Sequence, residues 1–250
     1  MRVAPLRSFA THLVTAFALW LGSFAPAFAL DMGQMAGDVW GSGNRNLVVI
    51  LHGDGGPGRY DSYAKALASA AKGTTVVTLV RPGFRGSAGR SKGTNSGKDH
   101  YTSRNNKLLA ASLAAMKNDL RPQRMIVVGH SGGAGQLGTV IATAPGIVDV
   151  AVLVSCPCNV PRWRIHRRGK NNWTASQSPH KYAKKVSRNT KVVAITGAND
   201  PNTRPHLAEE YVTLARSAGV NASLSVPKGV NHKWSSLVRH VDAAIRKNLR

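Results

Sequence analysis

Six short apolar runs along the chain have the pattern of buried β-strands. The clearest lies at 47–51 (LVVIL), where every position is apolar and the middle positions are β-branched. A run that is apolar throughout, without alternation, predicts a strand buried on both faces of a sheet. The other runs lie at 75–80, 125–128, 148–154, 191–196 and, more weakly, 222–226.

Five segments between these runs have apolar residues spaced three and four apart, as in an amphipathic helix. The clearest lies at 105–120 (NNKLLAASLAAMKNDL), and the others lie at 60–72, 136–144, 205–218 and 235–249. Strands that alternate with helices predict βαβ units. We therefore expect an α/β fold with a central, mostly parallel sheet and helices on both faces.

Two stretches have neither pattern and are predicted to be long loops. Residues 81–100 hold five glycines, and residues 155–178 hold two tryptophans. Long connections without regular structure are often functional. A short Lys-rich helix is predicted after the second stretch, near 180–188.

The first 29 residues have the features of a secretory signal peptide. Arg2 and Arg7 precede an apolar run at 13–21, and a small-x-small cleavage motif lies at 27–29 (AFA). The apolar run is short for a membrane-spanning helix, which needs about 20 residues. We therefore expect residues 1–29 to be removed and residues 30–250 to form one exported domain, periplasmic or secreted. An uncleaved membrane anchor is the alternative.

Composition fits a folded domain but the charge is unusual. Of 250 residues, 42% are hydrophobic, which is enough to bury a core. Against 11 Asp and Glu there are 34 Lys and Arg, a formal charge of +23. A surface of this charge attracts anions, meaning nucleic acid, acidic lipid or an acidic substrate.

The two cysteines of the chain, Cys156 and Cys158, are separated only by Pro157. A disulfide between them closes a very small ring, which is strained. Two thiols are therefore favoured over a bond. Two thiolates alone do not complete a four-ligand metal shell, so no metal site is predicted.

A G-x-S-x-G motif at 129–133 (GHSGG) directly follows a predicted strand and opens a predicted helix. In this setting the motif predicts a nucleophile elbow. The turn strains the backbone of the serine, and flanking glycines avoid clashes with neighbouring chain. We therefore expect Ser131 to present its hydroxyl as a nucleophile. A glycine-rich turn without chemistry is the alternative.

A serine nucleophile needs a base to take its proton and an acid to orient that base. With this elbow the acid follows the serine and the base follows the acid. Between Ser131 and Glu209 the carboxylates are Asp149 and Asp200. Asp149 lies near the start of a strand, away from the carboxyl ends where such sites form. Asp200 follows a strand and is the predicted acid, with helix capping as its alternative role.

The base is predicted to follow the last strand. His232, in the sequence GVNHKW, lies between that strand and the final helix. His240 lies inside the helix, whereas His166, His180 and His206 precede the expected position. His232 is therefore the predicted base.

A second glycine-rich loop, at 52–56 (HGDGG), follows the first predicted strand and is expected to face the elbow. Acyl transfer needs hydrogen-bond donors for the oxyanion. The predicted donors are the backbone N–H groups of Asp54 and Gly132. A phosphate-binding P-loop is excluded, because no Gly-Lys-Ser/Thr follows at the required spacing. The residues predicted to support the loop and the elbow are His52, Gly53, Gly55, Gly129 and Gly133.

Four motifs occur in this order: HGDGG, GHSGG, GANDP and GVNHKW. Together they make the sequence resemble the serine α/β-hydrolases from about residue 46 to the C-terminus. The loop at 81–87 (RPGFRGS) also resembles one of that family. The resemblance implies the α/β-hydrolase fold. It also implies hydrolysis of an ester, thioester or amide through an acyl-enzyme on Ser131, without metal or cofactor.

Two details refine this resemblance. Serine at the elbow, in place of Asp or Cys, argues against chemistry like that of haloalkane dehalogenases or dienelactone hydrolases. Only the 36 residues at 155–190 separate the fourth and fifth strands, which leaves room for a short lid-like segment.

Much of the charge falls in two segments that this fold places near the catalytic edge. Residues 81–124 hold ten basic and two acidic residues, and residues 162–191 hold ten basic and none acidic. A cationic rim would favour an anionic small-molecule or peptide substrate, or an anionic envelope surface. A diffuse basic coat is the alternative. The predicted rim residues are Arg162, Trp163, Arg164, Arg167 and Arg168.

The sequence thus favours a carboxylic ester hydrolase. A serine peptidase with the same triad is an alternative, and so is an inactive basic module that binds a surface. Trp163 and Trp173 among arginines fit nucleic-acid stacking, but the leader and the ordered catalytic motifs disfavour that partner. Oligomeric state is not indicated.

Overall fold

The computed structural model describes residues 1, 29–95 and 99–250, so the predicted signal peptide lies almost entirely outside the described residues. The strands are β1 (Gly37–Trp40), β2 (Asn46–Leu51), β3 (Thr74–Leu79), β4 (Arg85–Gly86), β5 (Gly89–Arg90), β6 (Arg124–His130), β7 (Val150–Val154), β8 (Lys191–Ile195) and β9 (Ala222–Ser225). The helices are α1 (Asp61–Ala70), α2 (Ser103–Leu120), α3 (Gly132–Thr143), α4 (Val160–Arg168), α5 (Pro205–Ser217) and α6 (Trp234–Arg246).

Within the described residues, a seven-stranded sheet has the order β1-β3-β2-β6-β7-β8-β9. Strand β1 pairs antiparallel at one edge, and the other pairs are parallel. The parallel strands end in register. Leu51 pairs with Leu79 and Gly129, and Val154 pairs with His130 and Ile195. The loops after β2, β3, β6, β7 and β8 therefore leave the sheet from one edge.

Helices cover both faces of this sheet. Helices α2, α3 and α5 pack on one face around buried residues such as Leu113, Leu137 and Tyr211. Helices α1 and α6 pack on the other, with Leu67 and Leu237 in that core. The prediction of a mostly parallel sheet covered on both faces is confirmed, because continuous apolar runs need apolar partners on both sides. No helix in the described residues has the length and apolar character to cross a membrane.

The predicted loop at 155–178 was wrong in one part, because it contains α4. The Asn159 side chain caps this helix by accepting a hydrogen bond from the Arg162 N–H at 3.1 Å. Pro161 lies in the first turn, and Gly169 ends the helix with a φ of 73°. A capping Asn, an early Pro and a terminal Gly are start and stop signals. The apolar periodicity of this Arg-rich helix is too weak to reveal it without them.

Other elements also differ from the predicted pattern. The Lys-rich segment forms two short 3₁₀ turns, Pro179–Lys181 and Ala183–Lys185, in place of a helix. The edge strand β1 is only four residues long and partly exposed, so its sequence carries no buried run. The glycine-rich stretch at 81–100 contains the small β4–β5 hairpin.

Cys156 and Cys158 form a disulfide, contrary to the prediction of two thiols. The chain turns sharply after β7, where Ser155 has a φ of 48°. The Cα atoms of Cys156 and Cys158 lie 5.0 Å apart, a separation that ordinary disulfides have. Sequence separation alone does not reveal that geometry.

The packing of α2 predicts unequal costs for two identical substitutions. Leu113 is fully buried against the sheet, whereas Leu108 on the same helix is half-buried. Leu113→Ala should lower the free energy of unfolding by about 2–5 kcal/mol, because it removes buried surface and leaves a cavity. Leu108→Ala should cost less than about 1 kcal/mol. Urea unfolding followed by circular dichroism measures both, and equal costs would contradict this packing.

Candidate active site

Ser131 stands at the sharp turn between β6 and α3. Its backbone has φ 51° and ψ −117°, a conformation that a non-glycine residue rarely adopts. The turn leaves no room for side chains at positions 129 and 133. A Cβ on Gly133 would lie 2.5 Å from the Leu51 carbonyl oxygen, and one on Gly129 would lie 2.5 Å from the Gly133 carbonyl oxygen. The flanking glycines are thus required by close approach of the backbone.

The structure brings the three residues of the predicted triad together. The Ser131 Oγ lies 3.1 Å from the His232 Nε2. The His232 Nδ1 lies 2.8 Å from the Asp200 Oδ2. Because a carboxylate only accepts, Nδ1 carries the proton and Nε2 is the nitrogen that accepts from the serine hydroxyl. This is the geometry that activates a serine nucleophile.

Asp200 is buried and held by several donors besides the base. Its Oδ1 accepts from the backbone N–H groups of Asn202 and Thr203 at 2.8 and 2.9 Å. The Thr203 hydroxyl donates to Oδ2 at 2.8 Å. Burial acts to raise the pKa of Asp200, but these bonds and His232 outweigh it and the pKa is lowered. The carboxylate therefore stays charged and oriented.

Asp149, the other carboxylate considered from the sequence, lies at the opposite edge of the sheet. Its Oδ2 accepts from the Met125 backbone N–H at 2.6 Å at the start of β6. Its Oδ1 lies 3.4 Å from the Lys117 Nζ. It has a structural place far from Ser131.

The 52–56 loop faces the elbow as predicted from its position. A Cβ on Gly132 would overlap the Asp54 carboxylate, so the loop and the start of α3 touch at this point. Gly132 is the first residue of α3, where backbone N–H groups have no partner within the helix. Open space lies beside Gly55 and Gly56.

His130 links the loop, the elbow and the base. Its Nε2 lies 3.0 Å from the His232 carbonyl oxygen, and its Nδ1 lies 2.8 Å from the Tyr60 hydroxyl. The same hydroxyl accepts from the Gly53 N–H at 3.1 Å. A carbonyl only accepts, so Nε2 carries the proton and Nδ1 accepts from Tyr60. Burial lowers the pKa of His130 to about 4, consistent with this neutral ring.

His52 is a second buried, neutral histidine. Its Nε2 accepts from the Arg81 backbone N–H at 2.9 Å, and its Nδ1 donates to the Gly53 carbonyl at 2.7 Å. Burial and, next, the charge of Arg81 lower its pKa to about 3. The ring therefore supports the loop through hydrogen bonds that need the uncharged form.

A pocket of about 280 Å³ opens at Ser131. Its volume lies at or below the lower end of the usual range for small-molecule sites, roughly 300–1,000 Å³. Trp234 and Tyr60 supply apolar surface, and the exposed side chains of Arg59 and Lys233 supply positive charge. Apolar surface and positive charge therefore lie beside the Ser131 hydroxyl.

The five predicted rim residues do not line this pocket, so that prediction needs correction. Trp163 is buried in an aromatic cluster with Tyr101 and Trp173, which anchors α4. Arg164 lies over the Trp173 ring at 4.8 Å. Arg162 pairs with a glutamate on α5, while Arg167 and Arg168 are exposed in the last turn of α4.

Sequence reasoning also missed Asn202, which contacts the base. Its Nδ2 lies 3.0 Å from the His232 Nε2, and its Oδ1 accepts from the Trp163 Nε1 at 3.2 Å. The indole N–H thus fixes the orientation of the amide. Arg59 and Lys233 were also missed, although Arg59 lies three residues after the HGDGG motif and Lys233 lies within GVNHKW.

Comparison with known proteins identifies similar chains. A family model described as "Alpha/beta hydrolase family" matches residues 48–241. No curated protein matches the chain.

Several solved structures share the fold at low sequence identity. A monoacylglycerol lipase of Paleococcus ferrophilus is 17% identical, with 86% of this chain and 98% of that chain covered and a TM-score of 0.62. Est1E from Butyrivibrio proteoclasticus, with ferulic acid bound, is 16% identical over 88% and 97%, with a TM-score of 0.62. The Pyrococcus furiosus esterase PF2001 is 14% identical over 82% and 80%, also at 0.62.

The neutral histidines predict a loss of stability in mild acid. In the unfolded chain these histidines are protonated below their ordinary pKa of 6.5. In the folded chain the pKa of His52 is about 3 and that of His130 about 4, so both rings stay neutral in mild acid. The free energy of unfolding should therefore fall as pH drops from about 7.5 to 5, by about 2 kcal/mol for each ring.

Urea unfolding at both pH values tests this loss. His52→Gln should make the fall in the free energy of unfolding between pH 7.5 and pH 5 smaller by about 2 kcal/mol. This holds whatever the substitution does to stability at either pH. His240→Gln, on α6, is the control and should keep the wild-type difference. An unchanged pH dependence in His52→Gln would refute the assignment.

Proposed function

Because the chain belongs to the alpha/beta hydrolase family, we propose that it is an exported serine hydrolase that cleaves carboxylic esters. The observation that carries the proposal is the hydrogen-bonded series from Ser131 Oγ through His232 to Asp200, at 3.1 and 2.8 Å. The leader motif at 1–29 supports export to the periplasm or the medium.

In the first half of the reaction, the Ser131 Oγ attacks the ester carbonyl while the His232 Nε2 takes its proton. Asp200 stabilises the imidazolium that forms. The N–H groups of Asp54 and Gly132 would bind the oxyanion, and one such donor accounts for roughly 10²–10³ in kcat. The imidazolium then protonates the leaving alcohol, which leaves an acyl ester on Ser131.

The second half repeats these roles with water. The His232 Nε2 takes a proton from a water molecule, whose oxygen attacks the acyl carbonyl. The second tetrahedral intermediate uses the same oxyanion donors. Its collapse releases the carboxylic acid, and the imidazolium returns a proton to the Ser131 Oγ.

An ester is favoured over an amide as the substrate by two considerations. The pocket is small, about 280 Å³, and it would take a short acyl group more readily than a peptide segment. Three of the structural neighbours carry the names lipase or esterase, or hold ferulic acid. An inactive binding module has no use for a complete, hydrogen-bonded triad.

The charge at the pocket supports an anionic substrate. Arg59 and Lys233 are exposed on its lining. The carboxylates nearest to it are engaged: Asp54 pairs with Arg81, and Asp200 pairs with His232. Two cations beside a scissile ester would attract a substrate that carries a carboxylate or a similar anion.

Covalent labelling tests the nucleophile. A fluorophosphonate should label the wild-type chain at one serine. Ser131→Ala should abolish the label, because Ser131 is the one serine among the described residues that hydrogen-bonds to the His232 Nε2. Ser236→Ala, at the start of α6 near the base, is the matched control and should label normally. Intact mass spectrometry reads both, and persistent labelling of Ser131→Ala would overturn the proposal.

Two esters of similar acyl length test the charge at the pocket: p-nitrophenyl butyrate and the p-nitrophenyl monoester of succinic acid. Replacing Arg59 and Lys233 by Gln should lower kcat/KM for the anionic ester by about fivefold, as expected for two exposed charge contacts. The neutral ester should change little.

The double replacement of Arg167 and Arg168 by Gln removes the same charge from α4 and is the control. It should leave the ratio of the two kcat/KM values unchanged. If it lowers the ratio as much as the pocket variant does, attraction arises from the whole basic surface and not from the pocket.

A further inference from the structure

Arg81, which follows β3 at its carboxyl end, has a side chain with no exposure to solvent. Burying a charged group costs several kcal/mol unless it is paired. One of its nitrogens, Nη2, is buried and finds no hydrogen-bond partner among the described residues. Such an unpaired donor adds about 1–3 kcal/mol to the cost. Because burial of Arg81 destabilises the fold in this way, its presence indicates a role other than packing.

The guanidinium bonds to two separate elements of the candidate site. Nη1 donates to the Asp54 Oδ1 at 2.9 Å and to the His52 carbonyl oxygen at 3.1 Å, both in the 52–56 loop. Nε donates to the Gln136 Oε1 at 2.7 Å on α3. Gln136 lies four residues after Gly132 and hence one turn along the same helix. Arg81 therefore connects the loop to the helix that begins at the elbow.

Aromatic rings hold this side chain in place. The guanidinium carbon lies 5.2 Å from the Phe84 ring centroid and 5.6 Å from that of Tyr101. The planar guanidinium of Arg stacks on rings and holds five N–H donors in a fixed fork, whereas the ammonium of Lys has no planar face and no fixed fork.

The partner carboxylate is fully engaged. Asp54 also accepts from the His100 Nε2 at 3.0 Å and from the Tyr101 hydroxyl at 2.7 Å. Burial acts to raise the pKa of Asp54, but the charge of Arg81 and these hydrogen bonds hold it below its ordinary value. The side chain is thus charged and immobilised, which leaves the backbone N–H of Asp54 as its contribution to the site.

We propose that Arg81 is a positioning residue that sets the separation of the two oxyanion donors, the N–H groups of Asp54 and Gly132. This inference rests on the proposed function. The two donors belong to different elements, and Arg81 bonds to both elements. Negative charge on the substrate oxygen develops only in the transition state, so a change in donor separation should lower kcat and leave KM nearly unchanged.

Three variants separate positioning from stability. Arg81→Lys keeps the charge but loses the fork, so it cannot reach Gln136, Asp54 and the His52 carbonyl together. Arg81→Met combined with Asp54→Asn removes the hydrogen bonds between Arg81 and the two elements. It leaves no buried charge unpaired, which protects folding. Leu113→Ala lowers stability at a site distant from the loop and serves as the control.

Steady-state hydrolysis of p-nitrophenyl acetate at 20 °C, with each variant shown to be folded by circular dichroism, is the first readout. We expect both Arg81 variants to lower kcat by about 10–100-fold. The upper end of this range is comparable to the effect of losing one oxyanion donor. KM should stay within threefold, and Leu113→Ala should keep wild-type kcat. A kcat within twofold of wild type, or a loss matched by Leu113→Ala, would overturn the inference.

Hydrogen exchange of the 52–56 amides is a second readout that needs no turnover. Both Arg81 variants should exchange these amides at least tenfold faster than the wild type, whereas Leu113→Ala should not. If the wild-type chain hydrolyses no ester and takes no fluorophosphonate, the proposed function fails. The role of Arg81 in positioning the 52–56 loop is then tested by hydrogen exchange alone. Equal exchange rates of the 52–56 amides in the wild type and the Arg81 variants would overturn it.

Discussion

The parallel register of the central strands is the constraint on which the site depends. Near the ends of these strands, Leu51 of β2 pairs with Gly129 of β6, and Val154 of β7 pairs with Ile195 of β8. The loops that follow therefore start at one edge, although 172 residues separate HGDGG from GVNHKW in the chain. A slip of one strand by a single pair would move its loop by about 3.3 Å, more than a hydrogen bond tolerates.

Register brings the loops near one another, and buried polar contacts then hold them in place. The Tyr60 hydroxyl and the His130 ring connect the 52–56 loop to the carbonyl of His232. Arg81 connects the same loop to α3. Both networks lie in the protein interior, where unpaired polar groups are costly. Stability and the geometry of the candidate site therefore rest on the same contacts.

The basic character of the chain divides into a general and a local part. Arginines on α4 are exposed or engaged with aromatic rings and a glutamate, because burial of Trp163 anchors that helix beside the site and not over it. Arg59 and Lys233 are few among 34 basic residues, but they line the pocket itself. Position and not number decides which charges meet a substrate, since exposed charges are screened beyond about 10 Å.

The sequence by itself determined the order of the buried strands and the amphipathic helices, and it pointed to Ser131, Asp200 and His232 as the candidate triad, because local patterns and chain order limit these features. Only the tertiary structure decided the contacts that join distant segments. The disulfide depends on the backbone geometry between Cys156 and Cys158, and the position of α4 depends on the burial of Trp163. The roles of Arg81 and Asn202 depend on which groups surround them once the chain is folded. A side chain's partners arise from three-dimensional packing, and periodicity along the chain does not encode them.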